Sequence, residues 1–84
     1  MSEILKQDIV TIDGKEYVLR TVDLTATPLG GICPYEQLLY PLGEENKAFR
    51  GRLLDRSWSE DEALTSHNTQ LIRIKAGKPL LEYY

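Results

Sequence analysis

The chain has 84 residues, a single cysteine, a single histidine and a formal net charge of −3. A domain of this size hides only about two thirds of the surface its unfolded form exposes, so its core is thin and a second subunit is a natural source of extra burial. The lone Cys33 excludes an internal disulfide, and with His67 alone it closes no zinc site without two carboxylates or another chain. No apolar run approaches the roughly 20 residues a membrane-spanning helix needs, and MSEILKQD lacks the basic and apolar regions of a signal peptide. A single domain over 1–84 in a reducing cytoplasm is expected, without metal or cofactor.

The acidic balance is uneven. Up to Leu42, Lys6, Lys15 and Arg20 stand against Glu3, Asp8, Asp13, Glu16, Asp23 and Glu36, whereas the arginines of the second half cluster. Such a field gives no general attraction to DNA phosphates, although a local basic patch can still hold an anion.

In chain order, Ile9–Ile12, Asp13-Gly14 and Lys15–Val22 read as a β-hairpin. Aspartate and glycine tolerate the positive φ of a type I′ turn, whose twist matches the strands it joins. A two-residue loop pairs Ile12 with Lys15, Val10 with Tyr17 and Ile9 with Val18. Val10, Ile12, Tyr17 and Leu19 then share one face and Ile9, Val18 and Val22 the other. Apolar residues on both faces imply that one side meets a helix; the other meets a second subunit or is partly covered by Ile4, Leu5 or the loop that follows.

Leu24–Pro34, LTATPLGGICP, carries no helical or strand period, and its prolines and Gly30-Gly31 pair make it a loop. Tyr35–Tyr40 reads as a strand ending at Pro41, with a polar turn over 42–47 and a second strand over 48–58, in which Gly51 marks a bulge or a close backbone approach. Ser59-Glu60-Asp61-Glu62 opens a helix as a capping box, and Gly77 and Pro79 stop it. Ala63, His67, Leu71 and Ile74, with Leu64 beside them, form its inner face. Leu80–Tyr84 adds a short strand or a docking tail. The sum is an α+β fold: hairpin, loop and ββα unit, an antiparallel sheet of about four strands with one main helix on one face.

Alternation over the second strand puts Arg50, Arg52, Arg56 and Trp58 on one surface with Leu54. Guanidinium forks match phosphate or carboxylate oxygens and an indole stacks on a flat ring, so a small anionic nucleotide or an acidic protein edge both fit. Thr25–Pro34, with Gly30, Gly31 and Tyr35, would form the rim. The plainer reading is a solvated face whose arginines pair with Glu36, Glu44, Glu45 or Asp55. No catalytic residue is assigned. His67 on the apolar side of the helix reads as a core histidine, and Cys33 has no candidate base besides it. The tyrosines read as core and interface anchors.

The pattern YEQLLYP, a short polar turn, an arginine-rich strand and then SEDEALTSHNTQLI resembles a group of small phage-encoded proteins. The matching residues are Tyr35, Glu36, Tyr40, Glu62, Ala63 and His67, over about half the chain. The resemblance implies a phage or prophage source and a role in blocking host defences, by gripping a defence protein or sequestering its nucleotide signal. Three functions follow as expectations: a cytoplasmic binding protein acting by occupancy, an assembly module that oligomerises through its sheet face, and, least favoured, a small enzyme using His67.

Overall fold

The computed structural model describes residues 3–24, 34–47 and 50–82. Four strands form one antiparallel sheet in chain order: β1 (Glu3–Ile12), β2 (Lys15–Asp23), β3 (Tyr35–Pro41) and β4 (Arg52–Ser57). The helix α1 (Glu60–Lys75) packs across one face of all four. This is the α+β architecture the sequence implies.

Asp13 and Gly14 take φ of 52° and 80°, the left-handed pair a type I′ turn demands. The register has Ile12 opposite Lys15, Val10 opposite Tyr17 and Ile9 opposite Val18, as the two-residue loop requires. β1 begins at Glu3, six residues before the expected start, so Ile4 and Leu5 belong to the strand itself. The helix is bounded as its sequence dictates. Ser59 is extended and its Oγ accepts from the Glu62 amide at 3.2 Å, while Gly77, at φ 71°, carries a Schellman turn in which the Lys78 amide donates to the Arg73 carbonyl.

Between sheet and helix the interface is divided. Toward the helix C-terminus it is apolar: Val10, Leu19, Leu39 and Leu54 are buried, with Ile12, Tyr17, Leu71, Ile74 and Leu80 packed against them. Toward the N-terminus it is polar, built from Thr21, Gln37, Ser57, His67 and Gln70, all buried. Leu19 and Leu54 are sealed completely, and each such side chain contributes about 1.5–3 kcal/mol through burial.

The second half of the β3–β4 unit departs from its expected outline. Of the strand expected over 48–58, β4 covers Arg52–Ser57; before it the Lys47 amide donates to the Glu44 carbonyl and the Arg50 amide to the Lys47 carbonyl, and residues 48–49 lie outside the described residues. Gly51 is not the bulge, and what approaches it closely is a side chain and not another backbone. A Cβ there would sit 2.6 Å from Cε1 of Tyr40, on the sheet face opposite the helix. The bulge falls three residues later: Gln37 opposes Asp55 and Leu38 opposes Leu53, which leaves Leu54 as the extra residue. Residues 80–82 form no strand. Among the described residues no helix is long and apolar enough to cross a membrane.

The contact at Gly51 gives a direct test. Tyr40 is 7 % exposed and cannot swing freely aside, so Gly51→Ala forces the ring or the connection to shift. The expected cost is about 1–3 kcal/mol in thermal or denaturant unfolding; a variant as stable as the parent would refute this packing.

Candidate functional site

The arginines do not share one surface. Arg52 lies opposite Leu39, in the row that continues to Leu19 and Asp8 on the helix side of the sheet, and pairs with Glu82. Arg56 lies opposite Glu36 on the other side, its Nε 3.1 Å from Glu36 Oε2. The extra residue at Leu54 breaks the alternation between them, and Leu54 itself is core. Arg50 belongs to the turn before β4, with Nε 3.6 Å from Glu44, and Trp58 is 64 % exposed in the bend between β4 and α1. Tyr35 opens β3, half-buried between Asp23 and Ser57, and burial, with Asp23 and Glu60 nearby, pushes its phenol above the ordinary range. Gly30 and Gly31, like the expected rim over 25–33, lie outside the described residues, as do Cys33, Tyr83 and Tyr84.

Two constellations take the place of that arginine face. The first lies on the open side of the sheet. In successive rows, Ile4, Val22, Glu36 and Arg56 stand side by side, then Gln7, Arg20, Leu38 and Leu53, then Ile9, Val18 and Tyr40. Val18, Val22 and Tyr40 are buried within the single chain, whereas Ile4 and Ile9 remain exposed, Ile9 at 64 %. Arg20 is fixed across this face. Its Nε donates to Gln7 Oε1 at 2.7 Å, its Nη1 to the Glu45 carbonyl at 3.3 Å, and its guanidinium lies 5.4 Å from the centre of the Tyr40 ring. Arg20 thereby ties the β3–β4 connection down over Tyr40.

The second is a line of three side chains under the helix. His67, with no exposed surface, has Nδ1 2.7 Å from Thr21 Oγ1 and Nε2 2.8 Å from Asp8 Oδ2. A carboxylate oxygen only accepts, so Nε2 carries the proton; Nδ1 of the neutral ring then accepts from the Thr21 hydroxyl. The order hydroxyl, imidazole, carboxylate is that of a nucleophilic triad. Thr21 is 1 % exposed, however, and its hydroxyl faces no space a substrate could enter. What this line does is fasten α1 to β1 and β2, while Lys6 donates to Asn68 alongside. Beside it, Gln37 donates to Ser66, Ser66 to Asp55, and Gln70 to Gln37. Among the described residues no buried side-chain polar atom lacks a partner, and no group of three His, Cys, Asp or Glu is placed to hold a metal.

Asp8, Thr21 and Arg20 are the residues that sequence pattern alone passes over. The signal for Asp8 was present, since it interrupts an otherwise inward apolar alternation with Val10 and Ile12, and the hairpin register carries it toward the histidine face of the helix. Neither a family model, nor a curated protein, nor a solved structure matches this chain.

Burial pushes the His67 imidazole below the ordinary value of 6.5, the hydrogen bond and charge of Asp8 oppose that shift, and the charge of Lys6 adds to it. With the folded value depressed, the unfolded chain binds the extra proton first as pH falls. The contribution to stability is therefore complete above about pH 6.5 and is lost as pH drops through the folded value. Thermal unfolding between pH 8 and 5 should show this decline, and His67→Gln should flatten it while lowering stability by about 1–3 kcal/mol through the unsatisfied Thr21 and Asp8. A profile identical in the two proteins would contradict the assignment.

Proposed function

We propose that this chain is a non-catalytic cytoplasmic binding protein that acts by occupancy, through the sheet face opposite the helix. In keeping with the resemblance to phage-encoded proteins, its target would be a host defence protein or a nucleotide-type signal. The observation that carries the reading is the exposure of Ile4 and Ile9 on a face already lined by Val22, Leu38 and Leu53 and edged by Arg56 and Glu36. Exposed aliphatic side chains among arginine and mixed polar neighbours suit a protein surface. A nucleotide fits less well. The Tyr40 ring is covered by Arg20 and the connection, and Trp58 lies outside the sheet, so among the described residues this face offers no free aromatic plane for a base. The sealed Thr21 hydroxyl supports occupancy over turnover.

A second reading, an assembly module, is favoured by β1. This longest strand lies at a sheet edge and presents the exposed Ile4 and Ile9, so a second copy could cover it.

Ile9→Lys combined with Arg56→Glu tests both. Neither residue is core, and losing the exposed Arg56–Glu36 pair while opposing two carboxylates should cost about 1 kcal/mol, so the variant stays folded. Recovery of a stoichiometric partner from a host lysate should fall at least about tenfold; undiminished recovery would count against this face. Sedimentation from micromolar to millimolar separates the readings: a dimer dissolved by Ile9→Lys indicates assembly, and a monomer throughout removes it.

A further inference from the structure

Residues 78–82 belong to no strand, yet they are held as a strand is held. The Gln70 side chain, 2 % exposed, accepts from the Leu81 amide through Oε1 at 2.9 Å and donates to the Leu81 carbonyl through Nε2 at 2.8 Å. One side-chain amide thus satisfies both backbone groups of a residue, which is what a neighbouring strand does in a β-ladder. Such a grip reads backbone and is indifferent to the side chain it holds. The same Nε2 reaches Gln37 Oε1 at 3.0 Å, so the clamp is braced from the sheet. On either side the recognition is specific: Leu80 packs into the apolar core, and Glu82 pairs with Arg52 of β4.

The segment fills only part of its groove. Beyond Leu81 a cleft of ≈ 370 Å³ runs along α1 past Ser66 and Thr65 to Asp61 and Glu62, and beside Leu80 and Glu82 a second of ≈ 550 Å³ opens toward Ile12 and Ile74. We propose that this groove between α1 and β4 is a binding site for an extended peptide of a partner protein, with the pattern apolar, any residue, acidic, followed by a basic residue. The chain's own Leu80-Leu81-Glu82 occupies it in cis as a built-in competitor. The basic residue is the partner's advantage. It would meet Asp61 and Glu62, an attraction that the uncharged Tyr83-Tyr84 sequence does not supply. Because the native segment must leave first, apparent affinity is reduced by the fraction of time the groove is open. The groove lies on the helix side of the sheet, so its failure would leave the sheet-face reading untouched.

The test uses the full chain and a synthetic peptide, acetyl-Pro-Leu-Leu-Glu-Lys-Lys-amide. Glu82→Lys places a cation against Arg52 and loosens the native segment through a side chain that is not part of the core. Peptide titration followed by fluorescence anisotropy should show binding to Glu82→Lys at least about tenfold tighter than to the parent, with the Gln70 side-chain amide resonances shifting on binding. Adding Gln70→Ala should abolish it, and a peptide with its first leucine replaced by aspartate should not bind. Thermal unfolding of each variant confirms that it is folded. A folded Glu82→Lys that takes up no peptide at millimolar concentration, or binds a scrambled peptide equally, would overturn the proposal. So would a concentration-dependent dimer insensitive to peptide, which would assign the groove to the tail of a second copy.

Discussion

Everything in this molecule depends on how one amphipathic helix is fixed to a sheet that is apolar beneath only half of its length. Leucine and isoleucine packing seats the C-terminal turns of α1, but the N-terminal turns rest on His67, Gln70 and Ser66 against Thr21, Asp8, Gln37 and Asp55. Hydrophobic contact is non-directional and would tolerate sliding or rotation of the helix. A layer of hydrogen bonds does not, since a shift of one turn would leave several buried groups without partners at about 1–3 kcal/mol each. The polar half therefore sets register and the apolar half supplies most of the driving force. This division also explains how a histidine can stand in a serine-protease-like order and still be structural: its partners hold the helix, and the hydroxyl is sealed from solvent with the imidazole.

With the interface between sheet and helix closed in this way, the two surfaces proposed for recognition among the described residues are the opposite sheet face and the groove along the helix flank. They differ in character. The sheet face offers exposed isoleucines beside an Arg20–Tyr40 stack held by Gln7 and Glu45. The groove offers hydrogen bonds from the Gln70 side chain to a backbone and an ion pair from Arg52, a linear site partly filled by the chain. A protein that works by occupancy, as proposed, would gain from such a pairing, because the two sides could engage a globular surface and an extended segment independently.

How much of this was legible in the sequence follows the range of the forces involved. The hairpin register came directly from Asp13-Gly14, because positive φ at two consecutive residues is a local steric matter and a two-residue loop admits one pairing. The helix and both its caps were equally plain, being written in Ser59, the three acids after it and Gly77. The arginine face was not, because it rested on unbroken alternation through β4. Leu54 enters the core as an extra residue in the ladder, and nothing within β4 announces it; the cause is packing against strands and a helix distant in sequence. Gln70 was hidden for a related reason. A glutamine on a helix reads as solvent-facing, and only the return of the chain at Leu81 gives it something to hold.

The sheet order, in which each strand lies beside the next one in the chain, has a kinetic side. All three strand pairings join sequence neighbours, the first across a two-residue turn, so the sheet can zip from hairpin to hairpin with little loop closure at each step. The polar contacts that span most of the chain, His67 to Asp8 and Lys6 to Asn68, close 59 and 62 residues and by the same reasoning belong to the final stage. Docking of the helix is thus the step that commits the molecule, and a nascent chain would present an assembled sheet, with both of its faces bare, until residue 67 has arrived.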